Sequence, residues 1–312
     1  MSIMSRPYFH DETKAFEHLE KVLWDGKPHC PKCGALDRIY TLDGVKDKKG
    51  RVRLGLKKCG HCKSQFTVRV GTVFESAHIP LTKILQAVYL MCASKKGVSA
   101  HQIHRTLEIT YKSAWFLCHR IREAMREGSL APLGGEGRIV EVDETYIGRD
   151  HTKKKRSGTL HKFAVMTLVE RKGRARSFQI ERATQMTVIP IVMKNVARET
   201  AMMTDEGGQY LPLETVFASH EVVNHSIKEY VRGNVSSNTV EGYFSIFKRG
   251  MKGIYQHCSE KHLHRYLAEF DFRYSNRVAL GTNDEGRSAK ALSGIIGKRL
   301  MSGTRCRRRI FA

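Results

Sequence analysis

Three acidic side chains stand far apart in this chain. Asp143 lies inside the run IVEVDETYIG, Asp205 ends the apolar run AMMTD, and Glu241 sits in SNTVEGYFSIFKRG, with 35 residues between the last two. Carboxylates delivered from one strand, a later strand and a helix make a hard-oxygen pocket of the kind Mg²⁺ selects. Two such ions about 3.5 to 4 Å apart activate an attacking oxygen and stabilise a leaving one, which is phosphodiester chemistry. Asn238, three residues before Glu241 and so on the same helix face, offers an amide oxygen and is a second candidate for the third ligand. Lys248 follows Glu241 by seven residues, on the same face, where it can meet a phosphate.

A second constellation is sulfur. Cys30-x2-Cys33 and Cys59-x2-Cys62 bracket 25 residues, each pair set among Gly, Pro or His as in a metal knuckle. Four thiolates at that spacing close a tetrahedron around a structural Zn²⁺. His29 and His61 adjoin these ligands and are expected to be bystanders or phosphate contacts. The other cysteines are scattered, which argues against a disulfide framework.

These residues need elements to hold them. Phe16, Leu19, Val22 and Leu23 mark a leading helix, and the segment around the cysteine pairs reads as a small β module. From Leu81 to about Met125 the period turns helical, with a short turn near Glu108 to Tyr111. That is the layout of a helix-turn-helix whose second helix carries Lys112, His119, Arg120 and Arg122 and would enter a major groove by its N-terminal turn, with Lys112 and Arg120 expected to contact DNA. A plain helical hairpin with a solvated basic face is the alternative. A Gly-rich stretch over 128–137 reads as a linker. Beyond it, RIVEVDETYIG, HKFAVMTLVE and RARSFQIE predict a three-strand antiparallel meander, followed by a helix, the short strand AMMTD and the helix of Glu241. Alternation along the first strand puts Ile139, Glu141 and Asp143 on one side and Val140, Val142 and Glu144 on the other. Glu144 is expected to be solvated.

The expected organisation is multi-domain: 1–79 leading helix and zinc ribbon, 80–127 helix-turn-helix, 128–137 linker, 138–280 catalytic α/β domain, 281–312 basic tail. A length of 312 residues suits several folding units, and 41% hydrophobic residues suffice for real cores. Lys and Arg number 54 against 31 Asp and Glu, a formal charge of +23, which points to a polyanionic partner. Lys153, Lys154 and Lys155 in HTKKKR, the loop RKGRAR over 171–176, and Lys248 with Arg249 are expected to track DNA phosphates. No long apolar run or signal peptide is visible, so no membrane partner and a cytoplasmic, nucleoid-associated protein are expected.

The order strand-Asp, strand-Asp, helix-Glu with a following Lys resembles the DDE transposases and retroviral integrases. The wider text, CPKCG, CGHC, VEVDETYIG, VNHSIKEYV and SNTVEGYFSIFKRGMKGIYQHC, resembles the ISXO-like insertion-sequence transposases with an N-terminal zinc ribbon, over about residues 10 to 277. The resemblance implies a ribonuclease-H-like catalytic fold, Mg²⁺ (or Mn²⁺) dependence, and cleavage and strand transfer at element inverted repeats. It also implies a homo-oligomer assembled on double-stranded DNA. Members differ over whether the third ligand is Glu or Asn, so Glu241 and Asn238 both stay open, with the 35-residue spacing favouring Glu241. His225 in VNHS matches a family position near the scissile phosphate. Two other functions compete: a transposase-derived DNA-binding regulator without activity, and a structure-selective nuclease of the same fold.

Overall fold

The computed structural model of the chain describes residues 2–128, 131–149, 158–159, 161–223, 231–232 and 235–300. They form two compact units, one built from 1–94, 98–126 and the C-terminal segment from 284 onward, the other from 95–97 and 127–283.

The first unit opens with α1 (Glu12–Trp24), capped by the Asp11 carboxylate on the Lys14 N–H, with Ala15, Phe16 and Leu19 buried. Three short antiparallel strands follow in the order β1 (Ile39–Thr41), β2 (Lys57–Cys59), β3 (Gln65–Phe66). Cys30 and Cys59 are buried with Phe66 in a small cluster that Trp24 helps to cover. So small a core cannot stand by itself, and the thiols supply what it lacks. The Sγ atoms of Cys30 and Cys62 are 3.6 Å apart, as are those of Cys33 and Cys59, and all four lie within 4.8 Å of one another. A tetrahedron with Zn–S bonds of about 2.3 Å has edges of about 3.8 Å, so the four sulfurs fit that ion as they stand.

Three helices complete the run: α2 (Leu81–Ala93), α3 (Ala100–Leu107) and α4 (Tyr111–Met125). Ser99 and Thr110 cap the last two, and Glu108 in the left-handed region makes the turn between them. The helical pair is where the periodicity put it, but its surfaces are not. Every residue of α4 from Leu117 to Met125 is buried, including His119, Arg122 and Arg120, the last of which was expected to contact DNA. Of that set Lys112 is exposed.

The second unit is a five-stranded sheet in the order β6 (Ala175–Ile180), β5 (Phe163–Glu170), β4 (Ile139–Ile147), β7 (Ala201–Asp205), β8 (Ser219–Val223). The first three strands form the predicted meander, while β7 pairs parallel to β4 and β8 parallel to β7. One face packs on α5 (Gln185–Asn195) through Val140, Val142, Met166, Leu168, Val188 and Val192. The other packs on α6 (Asn238–Gly250) and α7 (Glu260–Ser275) through Val165, Val169, Tyr243, Phe247 and Phe270. A two-stranded ladder, β9 (Val231–Arg232) with β10 (Val235–Ser236), leads into α6.

The chain then contributes α8 (Asp284–Ser293) to the first unit. This departs from the expected basic tail over 281–312. Arg287 Nε donates to the Cys92 carbonyl at 2.9 Å, Ala291, Leu292 and Ile295 are buried, and Val73 N–H bonds the Ile295 carbonyl. Only a few apolar residues make this contact, too few to show a helical period. Among the described residues no helix is long and apolar enough to cross a membrane.

Two outcomes follow from this packing. Metal analysis of the purified protein should find one zinc per chain. Cys33→Ser, at an exposed ligand that leaves no core cavity, should lower that occupancy and the melting temperature of the first unit while the five-stranded sheet keeps its circular-dichroism signal. Gly250 closes α6 where an added Cβ would stand 2.5 Å from Phe270 Cζ and 2.6 Å from the Lys96 carbonyl oxygen. Gly250→Ala should therefore destabilise by about 1–3 kcal/mol in denaturant titration, opposite to the gain of about 1 kcal/mol that helix propensity alone predicts.

Candidate active site

The parallel register that joins Ile139 to Ala201 and Glu141 to Met203 brings Asp143 level with Asp205 when carried two residues further. Asp205 ends β7, and Asp143 lies at the middle of β4, two residues past the last pair of that parallel ladder. The alternation of β4 turns Glu141, Asp143 and Thr145 toward α6 and turns Val140, Val142 and Glu144 toward α5, as the sequence predicts.

Asp143 is half-buried, and its Oδ1 accepts one bond, from the Glu144 N–H at 2.6 Å. Burial pushes its carboxyl up to about 7. The Glu144 N–H opposes that rise, and the neighbouring charges of Asp205, Glu144 and Glu241 add to it. Asp205 Oδ1 accepts from the Gly207 N–H at 3.1 Å. Each aspartate therefore has its second oxygen unclaimed among the described residues. A cluster of anions in a poorly hydrated place is unfavourable unless a cation joins it, and three carboxylates are a donor set that suits Mg²⁺. Among the described residues the cysteine quartet is the group whose ligand atoms already meet.

The third-ligand candidates sit on the first turn of α6. Ser237, at the N-cap position, does not bond the helix backbone with its side chain. Its Oγ donates to Glu241 Oε1 at 2.9 Å. Asn238 is the first helical residue, exposed, and not the cap. The backbone N–H groups of Thr239 and Val240 donate instead to Glu141 Oε2, at 2.8 and 2.9 Å. Lys248, partly exposed, holds its Nζ 5.8 Å from the centre of the Phe244 ring, and Arg249 is exposed with its guanidinium on Ser245.

Several sequence expectations come out differently. Glu144 is not solvated: it is mostly buried on the α5 side, its Oε2 3.4 Å from Gln209 Nε2 and its carboxylate facing the Tyr210 hydroxyl. Burial pushes it up to about 6, against the pull of Tyr210 and with the repulsion of Asp205. It is the acid that sequence reasoning missed, because Gln209 and Tyr210 lie far along the chain from it. Arg171 does not track phosphates, since it is turned inward onto Glu141 and Ser236. Arg176 binds Asn195 and the Ala131 carbonyl, which leaves Lys172 as the fully exposed basic side chain of that loop. Arg120 lies over the Phe116 ring, away from solvent. His61 pairs with Asp37 and His29 packs edge-on to Trp24, so neither is a zinc ligand. Lys153, Lys154, Lys155 and His225 lie outside the described residues.

Comparison with known proteins matches two stretches of the chain. The model of the transposase zinc-ribbon domain matches residues 10–65, and that of the ISXO2-like transposase domain matches residues 132–275. A protein described as an uncharacterized protein in transposable element ISH50, from Halobacterium salinarum, is 26% identical over 283 residues, covering 85% of this chain and 91% of its own length. The first match encloses the four cysteines and the second encloses Asp143, Asp205, Glu241 and Lys248. The chain thus carries an ISXO2-like transposase domain preceded by a transposase zinc-ribbon domain.

Proposed function

We propose that the chain binds the inverted-repeat ends of its element, cleaves phosphodiester bonds there and transfers the 3′-hydroxyl strand into target DNA, with Asp143, Asp205 and Glu241 as the metal-holding residues. The observation that carries this reading is the parallel register that sets Asp143 beside Asp205 on adjacent strands, with the half-buried Asp143 carboxyl pushed up by burial and by the charges of Asp205, Glu144 and Glu241. The sheet order and the helix that brings the third acid are what a ribonuclease-H-like catalytic domain requires.

Bound there, a pair of Mg²⁺ (or Mn²⁺) ions supplies activation of the attacking oxygen and stabilisation of the leaving one. The chain's own part is placement. Asp143 and Asp205 keep one oxygen on a backbone N–H and present the other, and Ser237 holds the Glu241 carboxylate on the first turn of α6. Lys248 and Arg249, further along the same helix, bring positive charge for the flanking phosphates. Asn238 stands at the rim, where its amide can approach substrate or share a ligand position. The zinc ribbon and the α3–α4 pair, read as a helix-turn-helix, serve end recognition through the exposed first turn of α4, with Lys112 as its phosphate contact. The enzyme acts as a homo-oligomer on DNA, in the cytoplasm where the nucleoid lies.

A cleavage and strand-transfer assay on element-end DNA tests the proposal. The wild type should nick with Mg²⁺ and join a pre-cleaved 3′-end. Binding without nicking would instead indicate a regulator, and cutting of branched DNA without joining would indicate a structure-selective nuclease. Asp143→Asn and Asp205→Asn should abolish cutting while end binding is kept, since neither removes a positive charge. Mg²⁺ should raise the melting temperature of the wild type, by the equivalent of about 2.7 kcal/mol at a hundredfold excess over Kd, and Asp143→Asn should lose that shift. Without metal the variant should be at least as stable as the wild type, having lost one of several crowded charges. Glu241→Gln should lose Mg²⁺-dependent cutting and Asn238→Ala should retain most of it. The reverse result would transfer the third ligand to Asn238.

A further inference from the structure

Glu141 and Asp143 lie on one face of β4, two residues apart, yet their surroundings are opposite. Glu141 is wholly buried, and both of its oxygens are fully engaged. Oε2 accepts from the backbone N–H of Thr239 at 2.8 Å and of Val240 at 2.9 Å. Oε1 accepts from the Thr239 hydroxyl at 2.8 Å and from Arg171 Nε at 2.5 Å. Four bonds exhaust what a carboxylate accepts, so Glu141 has nothing left for a metal ion.

Thr239 and Val240 are the second and third residues of α6, the positions whose N–H groups a local N-cap side chain ordinarily satisfies. Ser237 stands at that N-cap but turns its hydroxyl to Glu241 instead. The cap of α6 is therefore supplied across space, from the strand that carries Asp143. Arg171, at the end of β5, balances the buried charge, and its Nη2 reaches the Ser236 carbonyl at 2.8 Å, the Ser236 hydroxyl at 2.9 Å and Met203 Sδ at 3.0 Å. One guanidinium thus touches the segment entering α6 and the strand that carries Asp205.

We infer that Glu141, with Arg171 as its counter-charge, is a positioning residue: it fixes the first turn of α6, and so Glu241, at a set distance from Asp143 and Asp205. The inference rests on the metal reading above. Glu141 touches neither substrate nor metal. It acts by holding the two elements whose carboxylates must meet, and a small misplacement of a reacting group costs on the order of 10²-fold in rate.

Glu141→Gln keeps the shape but sets an amide NH₂ against donors and removes the charge facing Arg171. Thr239→Val removes one hydroxyl at nearly unchanged volume and is the variant that folds if the first does not. Hydrogen exchange on the full metal-free chain should show the amides of Thr239 and Val240 protected in the wild type and faster in Glu141→Gln, with β4 and β5 unchanged. Mn²⁺ titration followed by electron paramagnetic resonance should show affinity lowered about 10- to 100-fold in Glu141→Gln, the loss typical when outer-shell support is removed. Thr239→Val should lose less, in the same direction. In the cleavage assay kcat should fall while KM for end DNA stays within about twofold. Phe247→Leu, which loosens the buried far end of the same helix, is the control for general destabilisation and should leave Mn²⁺ affinity intact. Unchanged exchange at 239 and 240 would overturn the cap. Faster exchange with unchanged Mn²⁺ affinity, or an equal loss in Phe247→Leu, would overturn the positioning role. A wild type that binds no Mn²⁺ would remove the metal reading and the positioning role with it, and the exchange result would still decide who caps α6.

Discussion

A carboxylate removed from water has to be matched donor for donor, and at Glu141 the catalytic unit meets that demand in full. Two backbone N–H groups, a hydroxyl and a guanidinium converge on it from α6 and the end of β5. Taking away one partner of such a buried pair typically costs about 3–5 kcal/mol, so these segments are free to move only together. Asp143, two residues on, is the counterexample within the same strand. It is half-buried, yet a single backbone bond serves it, and the charges of Asp205, Glu144 and Glu241 raise its carboxyl further. The contrast tells the two acids apart better than position does, because a carboxylate left short of donors is one that a cation can complete.

The first unit uses the same device. Pro80 stands at the N-cap of α2 and has no side-chain acceptor to offer. Glu12, from the start of α1, supplies it: its carboxylate accepts from the N–H groups of Leu81 at 2.6 Å and Thr82 at 3.0 Å, and from the Thr82 hydroxyl. In both units a helix that begins without its own cap is pinned by a glutamate from elsewhere in the chain. The positive end of the helix dipole favours that anion in each case. Around the small β module, four thiols at tetrahedral spacing add a second long-range staple.

Much of this was legible in the sequence, and the limits have identifiable causes. The cysteine spacing, the three-strand meander and the side of β4 that Asp143 faces were all readable, because each depends on local period or spacing. Net charge was a poorer guide to where DNA contacts lie. Arg120, Arg273 and Arg287 are buried, and Arg171 spends its donors inside the fold, so part of the excess of basic residues holds the protein together. The burial of α4 could not be foreseen, since its first unit also includes α8, whose few apolar contacts, Ala291, Leu292 and Ile295, gave no periodic signal. Glu144 was equally opaque, for its neighbours Gln209 and Tyr210 come from a turn after β7.

The stretch before α6 shows how a correct local rule can mislead about function. Ser236, Ser237 and Asn238 read as capping residues by type, and a cap is indeed needed there. Glu141, 98 positions away from Thr239, provides it. Ser237 then has its hydroxyl available for Glu241, and Asn238 enters the helix exposed at the rim of the acid cluster. The orientation of the Glu241 side chain is therefore set in two steps, a distant carboxylate taking over the backbone and a local hydroxyl turning to the side chain. A sequence with only the local cap would still start a helix at this point, but its serine would be spent on the backbone and its glutamate would be left unaimed.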